Sequence, residues 1–269
     1  MHRNKQFNEM VIYLESCESG SMFKGLPDDI NVYALSAASA SQSSYACYFD
    51  STLRTFLGDV FSIKWMEDTD RENVKKETLE KQFGIVKKET KTSQVMQFGE
   101  LSLDKMKVSE FVGAKNATPA TYGPFDAITD PCLESSVSNP DAPLAALQRQ
   151  IDSSQDLIGQ DYWTGQLNEM QMNRTFVKTK MTQIARLVTG DGDITEDMMS
   201  DNHHEINDHH CHKASTTAWH DTCFDLALNP YAMRMVHVIV NLCEHGFSSH
   251  EFTTAARIVC THKRVSGIQ

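Results

Sequence analysis

The sequence predicts an α/β domain followed by a small all-helical one, and three observations carry that expectation. Short runs rich in β-branched and aromatic residues, Met10–Leu14, Ile30–Ser36 and Ser93–Gly99, alternate with a charged helical stretch over Glu72–Thr90. That alternation builds a sheet flanked by helices. Residues 115–143 then hold five of the seven prolines among Gly, Ser, Thr and Asp, a composition suited to an exposed linker. From Leu144 onward the pattern is helical, and the last four of the seven cysteines fall there. The expected domains are therefore 1–114, a linker over 115–143, and 144–269.

Composition sets the outer bounds. A chain of 269 residues, 40% hydrophobic and 23% charged, can bury one large core or two modest ones. Its formal net charge of −11 argues against nucleic acid or an anionic membrane surface as partner. No run reaches the roughly 18 apolar residues of a membrane span. The opening residues Met1-His2-Arg3-Asn4-Lys5-Gln6 are polar and do not read as a secretory leader.

Taken in order, Met1–Glu9 reads as the end of a helix or a polar approach to a strand over Met10–Leu14, which reads as fully buried. Small and polar residues follow around Cys17, with Gly20 free to turn the chain. Pro27-Asp28-Asp29 marks a turn before the second strand, and Ala37–Ser44 is a loop. Ser51–Trp65 alternates weakly and reads as helical. In Glu72–Thr90 the stripe Val74, Leu79, Phe83 and Val86 defines the buried face of a helix. The clearest helix spans Tyr231–Cys243, with Met235, Val236, Ile239 and Val240 on one side. Ser248-Ser249-His250-Glu251 is a capping box that opens the next. Four cysteines, Cys211, Cys223, Cys243 and Cys260, can staple this bundle in three ways.

In open α/β sheets, ligands collect at the carboxyl ends of the strands, which makes Cys17 a candidate nucleophile. On spacing alone, a structural cysteine at a strand end is the commoner explanation. The wider segment decides between them. Tyr13-Leu14-Glu15-Ser16-Cys17-Glu18-Ser19-Gly20-Ser21-Met22-Phe23 resembles the nucleophile segment of the legumain family of asparaginyl endopeptidases. Asp28–Ala34, Ser43–Tyr48, Leu57-Gly58-Asp59, Trp65–Asp68, Glu77–Gln82, Val95–Gly99 and, far downstream, Val240–Glu244 follow in legumain order.

The resemblance implies a caspase-like parallel sheet flanked by helices, of which this chain carries the C-terminal half, followed by a disulfide-stapled helical pro-domain. It implies a thiol endopeptidase cleaving after Asn, and after Asp at acid pH, with Cys17 as nucleophile and no cofactor or metal. Glu15, Ser43, Ser44 and Asp59 match the substrate pocket, whose polar groups suit a carboxamide that both donates and accepts. Ser16 and Val60 depart from the usual alanine and aromatic. The family's catalytic histidine lies in an upstream His-Gly turn. Here His2 precedes Arg3, and the other ten histidines lie beyond position 200, so the expectation is an N-terminally incomplete chain, inactive alone. With Glu15 and Glu18 on either side, Cys17 has no cationic neighbour in sequence and needs a base to act.

The family pairing implies disulfides Cys211–Cys243 and Cys223–Cys260, and a lysosomal, vacuolar or secreted protein. Implied partners are protein or peptide substrates, the chain's own pro-domain as inhibitor, and cystatin-type inhibitors. Sequons stand at Asn116 and Asn173. Gln155 occupies the place of the usual processing asparagine, and Asn139 precedes Pro140, which leaves Asp141 and Asp156 as expected cleavage sites. The tract His203–His212 reads either as a zinc site or as a solvated loop beside a disulfide, and pairing Cys211 favours the loop. Protonating the ten histidines would carry residues 151–269 from −6 to +4, near the pH where histidine titrates. Two other readings stand beside the peptidase. One is an inactive fragment or paralogue acting as a binding or regulatory module. The other is a membrane-associated transamidase, which the pro-domain cysteines and lack of a span oppose.

Overall fold

In the computed structural model, which describes residues 1–113, 130–201 and 204–269, Met10–Leu14 (β1) and Val32–Ser36 (β2) run parallel. Met10 lies opposite Val32 and Leu14 opposite Ser36. A third strand, Met96–Gly99, pairs antiparallel with the other side of β2. The central strand β2 is buried along its whole length, whereas β1, with one strand partner, is half-buried throughout. The expectation that β1 is fully buried is corrected by its edge position among the described strands. The sheet is mixed, and the α/β class stands.

Between these strands the chain forms a hairpin, Tyr45–Asp50 (β3) and Thr55–Asp59 (β4). Asp50 makes the turn: its carboxylate accepts from the N–H groups of Thr52 (2.8 Å) and Leu53 (2.7 Å), an Asx turn. Ser51–Trp65 is therefore not one helix; helix α1 (Val60–Arg71) starts only after β4 ends. The next helix, α2 (Leu79–Glu89), begins where Thr78 accepts from the Lys81 N–H, later than the periodicity suggested. Residues 72–78 form turns held by the Asn73 carbonyl. The strand Met96–Gly99 is β5, followed by the single turn α3 (Ser109–Val112).

Tyr33, Leu35, Phe61, Leu79, Val86 and Val95 form the core under this sheet, with Val11 and Tyr13 packed against it. Burying each large side chain contributes about 1.5–3 kcal/mol.

Residues 130–143, expected to be exposed linker, belong instead to the first compact unit, Met1–Ser153. Asp130 caps α4 (Pro131–Ser135), Val137–Ser138 (β6) pairs with β3, and α5 (Ala142–Ser153) follows. Two features fasten them. A disulfide joins Cys47 to Cys132, and the Lys64 ammonium, 2% exposed, meets Asp130 (2.7 Å) and Glu67 (3.0 Å). Burial alone lowers the Lys64 pKa, but the two carboxylates outweigh it and hold the amine above its usual value. Nothing in the composition of the segment distinguishes this from a solvated loop; the fastening is long-range. Asn116, in the rest of that segment, lies outside the described residues.

The second unit, Ser154–Gln269, is helical as expected: α6 (Leu157–Thr189), α7 (Gly192–Met198), α8 (His209–Ala218) running into a π-turn at Trp219–Cys223, α9 (Pro230–Met233), α10 (Val236–Glu244) and α11 (Ser249–Val259). Gly190, in the left-handed conformation at φ 66°, ends α6. The predicted helix over Tyr231–Cys243 is broken, because Arg234 and Met235 donate to carbonyls three residues back, tightening the chain between α9 and α10. The capping box at Ser248 and Glu251 is formed. Disulfides join Cys211 to Cys243 and Cys223 to Cys260, around a core of Met181, Ile184, Trp219, Phe224, Ile239 and Phe252. In the chain-entropy picture, closing loops of this size is worth about 3–4 kcal/mol each.

Candidate active site

Parallel pairing brings the carboxyl ends of β1 and β2 side by side. Glu15 and Cys17 follow β1, and the loop after β2 carries Ser43 and Ser44. The Cys17 sulfur lies 3.7 Å from the Ser44 hydroxyl oxygen. Cys17 is half-buried and is the one cysteine outside a disulfide. The loop geometry differs from expectation in one respect. Glu18, not Gly20, takes the left-handed conformation, at φ 49°, and its N–H donates to the Gln42 carbonyl at 2.7 Å. Gly20 serves by lacking a side chain: a Cβ there would sit 3.0 Å from the Ala40 nitrogen. The Cys17 loop is thus pressed against the loop that carries Ser43 and Ser44.

Glu15 and Asp59 converge on the start of α1. One Glu15 oxygen, Oε2, accepts from the Ser62 N–H at 2.8 Å; the other, Oε1, is buried with no hydrogen-bond partner. Burial pushes the Glu15 carboxyl up to about 7, the Ser62 N–H opposes the shift, and the nearby Asp59 charge adds to it. Asp59 is the residue before α1, yet its side chain does not cap the helix. Burial raises its pKa too, partly offset by a hydrogen bond from the Asn139 side chain.

Asn139 is the residue that sequence reasoning missed. Its amide nitrogen donates to the Ser44 hydroxyl at 2.8 Å and its backbone N–H to the Ser44 carbonyl at 3.0 Å. The one local signal was a turn-forming Asn-Pro pair after β-branched Val137, and it pointed to a poor cleavage site.

An unpaired buried carboxylate oxygen costs on the order of 1–3 kcal/mol, and is an open acceptor for a donor brought by a ligand. Asp59 is near enough to add to the Glu15 shift, Asn139 links Asp59 to Ser44, and the Ser44 hydroxyl lies 3.7 Å from the Cys17 sulfur. The arrangement can hold a polar side chain with both donors and acceptors while a sulfur nucleophile faces the attached carbonyl. In the first unit the histidine is His2, in a 3-10 turn before β1 with its ring 6.3 Å from Phe7, on the amino side of the strand that Cys17 follows.

The remaining expected residues are spread out. Asp141 is exposed between β6 and α5, and Asp156 is exposed at the junction of the two units, accepting from the Gly159 N–H at 2.7 Å. Asn173 is half-buried in the middle of α6, unlike the surface loop usual for a sequon. His203 lies outside the described residues, and His209 to His212 form the first turn of α8 with Cys211 in its disulfide. Burial, reinforced by His209, lowers the His212 pKa. Among the described residues no three His, Cys, Asp or Glu side chains converge on a cation site, and no helix is long and apolar enough to cross a membrane.

Residues 1–115 match the Peptidase C13 family and residues 165–260 match the legumain prodomain. Mouse legumain is 38% identical over 264 residues and human legumain 36% over 262; each alignment covers 97% of this chain and 59% of the relative. The vacuolar-processing enzyme delta-isozyme of Arabidopsis thaliana is 29% identical over 286 residues, with the same coverage. The chain therefore spans 59% of the length of these curated relatives. With a peptidase domain leading into a legumain prodomain, the chain belongs to the peptidase C13, or legumain, family.

Proposed function

We propose that this chain carries the nucleophile and the acidic half of the specificity pocket of a cysteine endopeptidase that cleaves after Asn, and after Asp at acid pH. The observation that carries the reading is the meeting of Cys17, Ser44, Glu15 and Asp59 at one strand end, with Glu15 Oε1 left open. The Asn carboxamide donates to Glu15 and Asp59 and accepts from a hydroxyl such as that of Ser43, with Ser44 part of the same polar wall. Cys17, as thiolate, attacks the peptide carbonyl carbon, and the C–N bond breaks as the leaving amine takes a proton. Water then hydrolyses the thioester, regenerating the thiol and releasing a carboxylic acid.

Both proton transfers need a base and acid that the described residues of the first unit do not bring beside Cys17, since His2 stands at the opposite end of β1. The 269 residues by themselves are accordingly silent as a protease. The same fact favours a second reading, a binding or regulatory module acting through the prodomain. Protein substrates, the chain's own prodomain as intramolecular inhibitor and cystatin-type inhibitors are the partners this function calls for. Three disulfides fit synthesis in an oxidising compartment, and a Glu15 carboxyl raised to about 7, so that it is protonated at acid pH, fits a lysosome or vacuole. Proteolytic release of the prodomain is assigned to Asp156 or Asp141, and glycosylation to Asn116 and Asn173.

The test is hydrolysis of an asparagine-containing fluorogenic peptide at acid pH. The purified chain is expected to show none. Losing the base of such a dyad costs several powers of ten in rate. Robust cleavage that disappears in Cys17→Ser would show that the base is within these residues.

A further inference from the structure

We infer that Asn139 is a positioning residue of the thiol site, acting on Cys17 through the hydroxyl of Ser44. The inference rests on Cys17 being the nucleophile. A serine hydroxyl has one hydrogen to give and two lone pairs to receive. Asn139 Nδ2 donates into one of those lone pairs at 2.8 Å, so that direction is closed to the serine's own hydrogen. The sulfur of Cys17, 3.7 Å away, is the partner toward which the O–H is then directed. Ser44 is 1% exposed, so water does not readily compete for that hydrogen.

The orientation of the carboxamide is itself fixed. Asp59, when ionised, can only accept, so the nitrogen end of Asn139 must face it, and the two amide hydrogens divide between Asp59 and Ser44. Its backbone is held as firmly. Val137 pairs with Ala46, Ser138 with Tyr45, and the Asn139 N–H with the Ser44 carbonyl. The Cys47–Cys132 disulfide ties the same segment to β3. A residue 95 positions from Ser44 in sequence thus becomes part of the thiol's surroundings. The charged groups around it are Glu15 and Glu18, which flank Cys17 in its own segment, and Asp59 at the start of α1, which shares Asn139 with Ser44. All are acidic, so the neutral donor from Ser44 is what the described neighbours offer a developing thiolate.

The experiment is alkylation of the intact chain by iodoacetamide, followed by mass spectrometry across the pH range in which thiols ionise. The other six cysteines are in disulfides, so one sulfur reports. Iodoacetamide has neither a side chain for the pocket to read nor a peptide bond to cleave, so the outcome is independent of the peptidase assay. Ser44→Ala and Asn139→Leu, the latter of the same shape without donors, should each slow alkylation at neutral pH about 3- to 10-fold and move the profile to higher pH. Because Asn139 acts through Ser44, the double variant should be no slower than Ser44→Ala alone. Asn139→Ala provides a second variant should leucine disturb the fold, and near-ultraviolet circular dichroism identifies which variants keep native packing. Asn139 variants that stay folded and alkylate like the parent would overturn the inference, as would a double variant showing the product of the two single effects.

Discussion

In the proposed function, Glu15 is the residue on which substrate choice turns. With its carboxyl pushed up to about 7, it can only accept above neutrality and gains a donor hydrogen, while still accepting, as the pH falls. An Asn carboxamide finds partners in either state. An Asp side chain needs donors while ionised, and becomes an Asn mimic once protonated near its ordinary pKa of about 4. Reactivity of Cys17 toward an electrophilic peptide with Asp before the reactive group should therefore rise as pH falls through neutrality. In Glu15→Gln, neutral at every pH, the upper part of that rise should flatten; an unchanged profile would show that Glu15 does not read this side chain. Glu15, Cys17, Ser43, Ser44 and Asp59 were named as candidates from the sequence, because each sits inside a short recognisable segment. Asn139 was not, because a strand pairing and a disulfide bring it to the site from the far side of residues 114–129.

Segment 130–153 shows the same limit among the elements. Proline-rich composition marks local chain behaviour, whereas Cys132, Asp130 and β6 gain their meaning from Cys47, Lys64 and β3. Strands β1, β2 and β5 and the α11 capping box were readable because their signals are local. The start of β4 and the break between α9 and α10 depend on turn hydrogen bonds that periodicity does not register. Two outcomes follow from the fastening. A protease cut between Cys47 and Cys132 should leave both pieces in one band on a non-reducing gel and release them only on reduction. Treatment with an active legumain should favour Asp156 over Asp141. Asp156 lies at the junction of the units beside Leu157, 78% exposed, whereas a cut after Asp141 would sever α5 from β6 within the first unit. Mass spectrometry of the products decides: dominant cleavage after Asp141 would contradict the preference, and dominant cleavage after Gln155 would contradict the assignment to aspartates.

Three carboxyls whose pKa values burial raises make the stability of the first unit sensitive to pH. Besides Glu15, burial raises Asp68 to about 6 and Glu77 to about 7, each 2% exposed, and their mutual repulsion adds to the shift in Glu77. Both lie beneath β1 near Tyr13, whose hydroxyl donates to Gln82, and Lys81 comes no closer to Glu77 than 3.7 Å. The folded state binds these protons more tightly than the unfolded chain. Their contribution to stability is therefore complete at pH values below the ordinary carboxylate pKa and is lost as pH rises through about 6 and about 7. Calorimetry should find the first unit melting roughly 5–10 °C higher near pH 5 than near pH 7.5. The paired change Asp68→Asn with Glu77→Gln should remove most of that difference. The second unit, with two disulfides around its core, should depend less on pH over this range.

The proposal of a carboxamide-reading thiol site is tested most directly by labelling the intact chain with two peptides that carry the same thiol-reactive epoxide, one with Asn and one with Gln before it. The measurement needs no catalytic base, because the electrophile reports the pocket and the sulfur alone. Gln carries the same amide one methylene further out, a difference worth about 1–3 kcal/mol in a fitted pocket. The expected result is modification at Cys17, absent in Cys17→Ser, at least tenfold faster with Asn, with the preference lost in Asp59→Ala. Equal rates for the two peptides, or a preference that survives Asp59→Ala and Glu15→Ala alike, would contradict it.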